Sequence, residues 1–391
     1  MYYVYKIPGP RAYPIIGNGL MLLGSNRANP ENVQKILCNP NALNKPYLMR
    51  YLSYPMVGDS ILVSEGSTMG VNINALEKGA DFLHAMERCN YVMASRGLHL
   101  WKYPNIIFRL TDDYKQLKKH RRILHNLHTK IIEHKRQNCN MNKINNNEMF
   151  DFEGIKQNTL KKPLLDYLLE TNETNPTFTD DDLRDETSII AMAGFETIAT
   201  AMSYCILSIA GHPEIQNKVY DEIFSIFGDS DRSIELEDLP KLEYLEMVIK
   251  ESLRLYPVVP LIFRELSSDI KIDNYILTKG TEIAIPIYCI HRDPNLWENP
   301  LQFIPERFLP ENISKQHPYS YVPFSGGPRN CLGYRYSFMF MKTVISTLLR
   351  SYEVHTDLNL RKLRFEMEII LKLPGGHQIR ITPRNKTIPV A

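Results

Sequence analysis

One stretch limits the fold more than any other. From Thr187 to Gly211 the chain is apolar through Ser188-Ile189-Ile190-Ala191-Met192-Ala193-Gly194-Phe195-Glu196-Thr197 and beyond. Apart from Tyr204 and Cys205, its only ionisable group is on Glu196. Thr179 followed by Asp180-Asp181-Asp182 marks a helix start, a capping hydroxyl with acids where the first backbone N–H groups lack partners. A helix from there to Gly211 is long and apolar enough to cross a bilayer. A carboxylate at its centre argues against that, because an ionised group in hydrocarbon is costly. The stretch therefore predicts a central buried helix in a large, mainly α-helical body.

A second stretch carries chemistry. Phe324-Ser325-Gly326-Gly327-Pro328-Arg329-Asn330-Cys331-Leu332-Gly333 sets one cysteine in a loop of glycine and proline, with an amphipathic helix directly after it. The helix N-terminus supplies N–H groups and the positive end of a dipole, which push a thiol toward thiolate. Gly327 and Gly333 let backbone approach a flat ligand, and Arg329 suits a carboxylate. The ordinary alternative is a half-buried, inert thiol in a turn. Against it stands the whole pattern Phe-x-x-Gly-x-Arg-x-Cys-x-Gly, met at Phe324, Gly327, Arg329, Cys331 and Gly333. It resembles the haem-binding loop of the cytochrome P-450 monooxygenases. The resemblance implies haem b as cofactor, Cys331 as its axial iron ligand and Arg329 on a haem propionate.

Other positions extend the resemblance. Ala193-Gly194-x-Glu196-Thr197 is similar to the family's oxygen-activating motif. Small residues at Ala193 and Gly194 would admit a planar cofactor and a substrate, Thr197 would hydrogen-bond dioxygen, and Glu196 would relay protons. A threonine bonded back to its own helix and a satisfied buried acid are the alternative. The fatty-acid-hydroxylating branch often carries a haem-esterified glutamate where this chain has Ala193, so that attachment is excluded. Glu251, Arg254 and Arg307 resemble the family's structural Glu-Arg-Arg triad. Arg264 resembles its propionate-binding strand arginine, and Pro257 to Ile262 would face the distal pocket. His291 is expected to satisfy local backbone groups only.

The remaining sequence sets limits. A net charge of +2 gives no global argument for nucleic acid. Six cysteines at 38, 89, 139, 205, 289 and 331 show no C-x-x-C pair, as in a reducing compartment. Ile7-Pro8-Gly9-Pro10 resembles the hinge that follows the anchor of microsomal relatives, with no anchor run before it. The segment Asn44-Lys45-Pro46-Tyr47 to Leu62 resembles the lead-in to the family's helix C. Neither Trp101 nor Trp297 has an arginine four residues on, so the propionate clamp Trp-x-x-x-Arg of that helix is missing and an internal deletion is expected near Gly66. Tyr114, Leu117, Leu124 and Ile131 predict the core stripe of a basic helix over 110–136, with His120, His125, His128 and His134 on its surface. Asn138 to Glu148 reads as a disordered linker. Helices are predicted at 31–37, 164–170, 213–227 and 242–256, and one after Cys331 buries Phe338, Met341, Ile345 and Leu348. A closing hairpin turns at Pro374-Gly375-Gly376.

The resemblance is nearest to the branch of fatty-acid ω-hydroxylases and insect-type enzymes. It implies one domain over 1–391, with 1–66 as N-terminal segment and 67–391 as haem-binding core, in a helical prism with a small β-region near the N-terminus. The implied partners are O2, a lipophilic substrate, NADPH-cytochrome reductase and cytochrome b5. Contact with the cytoplasmic face of the endoplasmic reticulum would be peripheral. Three other readings stay open: a peroxide-rearranging haem-thiolate enzyme, an impaired truncated form that binds haem poorly or not at all, and a membrane protein built on 187–211.

Overall fold

The computed structural model describes residues 29–45, 80–144 and 164–384. The hinge at 7–10, the segment through Gly66 and the asparagine-rich residues 145–148 lie outside them. The described residues gather into two compact units, one of 29–45 with 197–384 and the other of 80–144 with 164–196.

The first unit begins with α1 (Pro30–Leu37), whose first turn is capped by Asn29 Oδ1 accepting from the Glu31 N–H at 2.9 Å. The second unit follows in sequence with α2 (Ala80–Leu98), α3 (Asn105–Leu110), α4 (Asp112–Ile144), α5 (Leu164–Thr174) and the first half of α6 (Asp180–Ala210). Leu117 and Leu124 of α4 bury against Met86, Cys89 and Val92 of α2 and against Ile189 and Met192 of α6. Ile131 joins Leu165, Leu169 and Leu183 in a second cluster. The expected stripe is thus the packed face of α4.

At the start of α6, Thr179 N–H donates to Asp182 Oδ2 at 2.8 Å and Asp182 N–H donates to Thr179 Oγ1 at 3.2 Å, a reciprocal cap. By length and composition α6 is apolar enough to cross a membrane. Leu183, Ile189, Tyr204, Leu207 and Ile209 are buried, whereas Ala193, Gly194 and Phe195 at its middle are exposed.

Two expectations for this unit fail. Asn138 to Ile144 are the last turns of α4, not a loop. Asparagine costs a helix only a fraction of a kcal/mol per residue, about 0.7 at most, and a helix already nucleated propagates easily. Two of the four histidines, His120 and His128, are buried. His120 Nδ1 donates to Gln116 O at 2.8 Å, and His128 Nδ1 shares a hydrogen bond with Ser188 Oγ at 2.8 Å. Local partners make their burial affordable.

The first unit resumes with the second half of α6, then α7 (Pro213–Phe227), α8 (Glu243–Leu255), β1 (Ile262–Glu265), β2 (Ile270–Ile272), β3 (Tyr275–Leu277), β4 (Glu282–Ile285), α9 (Ile287–Ile290) and α10 (Pro310–Ile313). It ends with α11 (Tyr334–Ser351), β5 (Tyr352–His355), β6 (Glu366–Met367), β7 (Leu371–Lys372) and β8 (Arg380–Pro383). Its core joins Tyr204 and Ile209 of α6, Val219 and Ile223 of α7, Leu245 and Ile249 of α8, and Met341, Ile345 and Leu349 of α11.

β1 pairs antiparallel with β4, setting Arg264 opposite Ile283, and β2 pairs with β3. The residue-44 end of the α1 segment adds one bridge, Asn44 to Glu265. The hairpin expected around Pro374-Gly375-Gly376 does not form. β7 pairs with β6, and β8 pairs with β5, placing Ile381 opposite the buried Val354. Arg384 fixes that register by donating to Leu349 O at 2.9 Å and to Glu353 Oε1 at 3.2 Å.

Candidate functional site

In the first unit the loop before α11 is closed by its own backbone. Cys331 N–H donates to Phe324 O at 2.8 Å and Asn330 N–H donates to Gly327 O at 3.1 Å. Phe324 meets Tyr334 edge-on with ring centres 5.1 Å apart and lies 5.8 Å from Phe338, so the loop is pinned to α11. Gly333 is the residue before the helix, and its carbonyl accepts from Ser337 N–H at 2.8 Å. The N–H groups of Gly333 and Tyr334 donate to Cys331 Sγ. Cys331 is an exposed residue, yet the packing around its sulfur pushes the thiol up, and those two amides only partly offset it. The expectation that the loop by itself favours thiolate is therefore corrected.

Gly327 also has a packing role. Its φ is +70°, and a Cβ there would stand 2.1 Å from Leu37 O. The missing side chain lets the loop lie on the end of α1.

A cationic group adjoins the loop. Arg264 is 1% exposed; its Nη2 donates to Ser325 Oγ at 3.0 Å, its Nη1 donates to Phe263 O at 2.9 Å, and its Nε is buried without a partner among the described residues. Burial, then the charge of Arg329, lowers its pKa. The sequence reading missed a third cation. Lys45 is pushed down to about 8 by burial, then by Arg264 and Arg329. Its place is fixed next to β1, where Glu265 N–H donates to Asn44 O at 2.8 Å and Ser267 N–H donates to Asn41 O at 2.7 Å. The only sequence signal was its membership in the segment leading toward helix C.

Behind this loop sits a buried ion pair. Arg254 donates from Nε to Glu251 Oε2 at 2.7 Å and from Nη2 to Oε1 at 2.8 Å, with both side chains fully buried. Arg254 also donates to the carbonyls of His291 at 2.7 Å, Pro300 at 2.7 Å and Gln302 at 3.0 Å. Arg307 Nε reaches Glu251 Oε1 at 3.3 Å. His291 Nε2 accepts from Val322 N–H at 2.9 Å, and burial with the charges of Arg254 and Arg292 holds its pKa down to about 3.

Cys331, Arg329, Arg264, Phe324, Gly327 and Gly333 thus come together in one unit with Lys45. Thr197 opens the returning half of α6 in that unit. Ala193, Gly194 and Glu196 belong to the other unit, where the Asn90 side-chain amide donates to Glu196 Oε2. A Cβ on Gly194 would meet nothing within 4 Å.

The sequence model of one protein family, described as Cytochrome P450, matches residues 62–381. The chain belongs to the cytochrome P450 family. Cytochrome P450 4c21 of Blattella germanica is 35% identical, over 82% of this chain and 63% of its own length. Cytochrome P450 4V2 of Homo sapiens is 35% identical, over 82% of this chain and 61% of its own. The chain therefore spans about three fifths of the length of these relatives, which place it in the family 4 branch. Cytochrome P450 4c3 of Drosophila melanogaster is 28% identical over 486 aligned positions covering 98% of this chain and 90% of its own. Set against 391 residues, 486 positions leave at least 95 opposite no residue of this chain.

The cofactor of a cytochrome P450 is haem, and the residues of this unit fit it. Cys331 offers one soft axial donor at a helix head. Lys45, Arg264 and Arg329 gather positive charge that would suit two propionates, and the buried Arg264 Nε has no partner among the described residues.

Proposed function

We propose that this chain is a haem-thiolate monooxygenase, its whole length one cytochrome P450 domain, which places one oxygen atom from O2 into a C–H bond of a lipophilic substrate. The observation that carries the reading is Cys331 Sγ held by two amides at the head of α11, in one unit with the cations Lys45, Arg264 and Arg329. When bound, the haem supplies the oxygen chemistry, which a thiolate ligand biases toward O–O cleavage.

The chain's own residues do the rest. Cys331 would hold the iron as thiolate, its proton released to solvent. The N–H groups of Gly333 and Tyr334 then hold the sulfur in place. Arg264, Arg329 and Lys45 would neutralise the propionates, and Glu251, Arg254 and Arg307 fix their own segments to one another. Thr197 donates a hydrogen bond beside the reacting oxygen, and Glu196 carries protons to it. Electrons come from NADPH through a reductase, with cytochrome b5 as a second donor.

Peripheral contact with the endoplasmic reticulum membrane falls to α3 and its flank. There Trp101, Ile106, Ile107 and Leu110 are exposed, Ile106 by 78% and Leu110 by 80%, with Arg109 beside them. An aromatic and apolar tip with a basic neighbour suits the headgroup boundary.

A second reading, a form that retains haem poorly, is favoured by the 95 or more positions this chain lacks against its Drosophila relative. The absorption spectrum of reduced, carbon-monoxide-treated protein separates the two. A strongly red-shifted Soret band that disappears in Cys331→Ala supports the monooxygenase reading. A chain that takes up no haem supports the second. Product formation without NADPH and reductase would replace both with peroxide rearrangement.

A further inference from the structure

Asn90 is a polar residue in an apolar place. It is 5% exposed on α2, next to Cys89 and two residues before Val92, which both pack in the cluster that Ile189 and Met192 of α6 complete. A buried amide is tolerated when it is hydrogen-bonded, and this one donates Nδ2–H to Oε2 of Glu196, the single carboxylate in the apolar half-length of α6. We infer that Asn90 is a positioning residue that aims the Glu196 carboxylate, an inference that rests on the proton-carrying role proposed for Glu196.

The chemistry favours an amide here. An arginine or lysine in the same place would form an ion pair and hold protons off the carboxylate over a wide pH range. An amide donates one hydrogen bond and adds no charge, so it sets direction and leaves protonation free. Holding Oε2 fixes the direction in which the carboxylate faces, and proton transfer is assigned to Oε1. It accepts a proton from solvent, passes one on and returns to its starting state, and no electron moves.

The test uses the full chain loaded with haem and supplied with reductase and NADPH. Wild type, Asn90→Ala, Asn90→Asp and Glu196→Gln are compared with the two double variants. Asn90→Asp is isosteric but sets a second carboxyl group against Glu196, so it is read beside Asn90→Ala, which removes the donor without adding charge. Each Asn90 variant is expected to lower product formed per NADPH consumed by about three- to tenfold, with haem content and Soret position unchanged. In the Glu196→Gln background the same substitutions are expected to cost less than about 1.5-fold. Equal losses in both backgrounds would show that Asn90 acts through packing and would overturn the inference, as would intact coupling in Asn90→Ala while Glu196→Gln uncouples. If Glu196→Gln alone has no effect, the relay itself is wrong and the positioning role falls with it. In a preparation without turnover, selective 15N-asparagine labelling reads the contact directly. The Asn90 side-chain amide signal, identified by its loss in Asn90→Asp, shifts in Glu196→Gln if the pair exists, and an unmoved signal overturns it.

Discussion

At Gly327 the backbone takes φ +70°, and the nearest atom to a built Cβ is Leu37 O at 2.1 Å. A side chain there meets backbone on α1 and cannot swing away. Gly327→Ala is expected to destabilise the first unit by about 2–4 kcal/mol and to speed haem loss, read by thermal melting and by transfer of haem to an acceptor protein. An unchanged melting temperature would mean that α1 yields. Glu251 and Arg254 make a second demand, because breaking one partner strands a buried charge. Arg254→Met is expected to cost about 3–5 kcal/mol, whereas an exposed pair such as Lys35 with Asp273 would cost little if removed. The residues at which the sequence was most readable are those whose type is dictated locally. Phe324, Cys331 and Gly333 sit within one loop, and their spacing is the loop's geometry. Lys45 was missed because its meaning comes from Arg264 and Arg329, both distant in sequence and brought near only by the Asn44–Glu265 bridge.

Among elements, α7 runs from Pro213 to Phe227 as its apolar spacing and N-terminal proline predict, and α8 lies within one residue of its predicted ends. The closing hairpin was misread for a reason strands share: each flank of Pro374-Gly375-Gly376 finds a partner that local sequence does not name. Buried histidines give the elements a pH dependence. Burial holds His291 down to about 3 and His128 to about 4, so the folded chain keeps both rings neutral. The unfolded chain takes up protons below about 6.5. The stability this neutrality permits is fully present above that value and falls as pH drops toward the folded values. Two rings lose on the order of 4 kcal/mol between pH 7.5 and 5. Melting temperature measured across that range should fall, and His291→Gln, which keeps an acceptor for Val322 N–H, should flatten the slope. A slope unaltered by His291→Gln would show that the ring is not held neutral. For α3, replacing Ile106 and Leu110 with aspartate is expected to release the protein from vesicles containing anionic lipid. Retention by those vesicles would move the membrane contact elsewhere.

At the scale of the whole molecule, family membership was legible from a few motifs, since Cys331 and its loop, the Ala193–Thr197 run and the Glu251–Arg254–Arg307 set occur in one order. The expected deletion concerned residues that have no counterpart here, and the absent Trp-x-x-x-Arg could be read only as a gap. Haem held by the three cations alone is expected to leave faster than from a relative that also has that clamp. Splicing such a block in after Gly66 should slow the loss, and equal rates would make the clamp dispensable. The seating of the cysteine loop on α1 also has a consequence in time. Cys38 Sγ meets Tyr319 Oη at 2.7 Å across a separation of 281 residues. A ribosome adding about 5–20 residues per second takes tens of seconds to cover that interval. During it α1, eight residues long, is too short to persist as an isolated helix. Its apolar residues Val33, Ile36 and Leu37 wait without their binding surface. The seat that α1 offers the cysteine loop is therefore completed late, only after the residues around Tyr319 have been made.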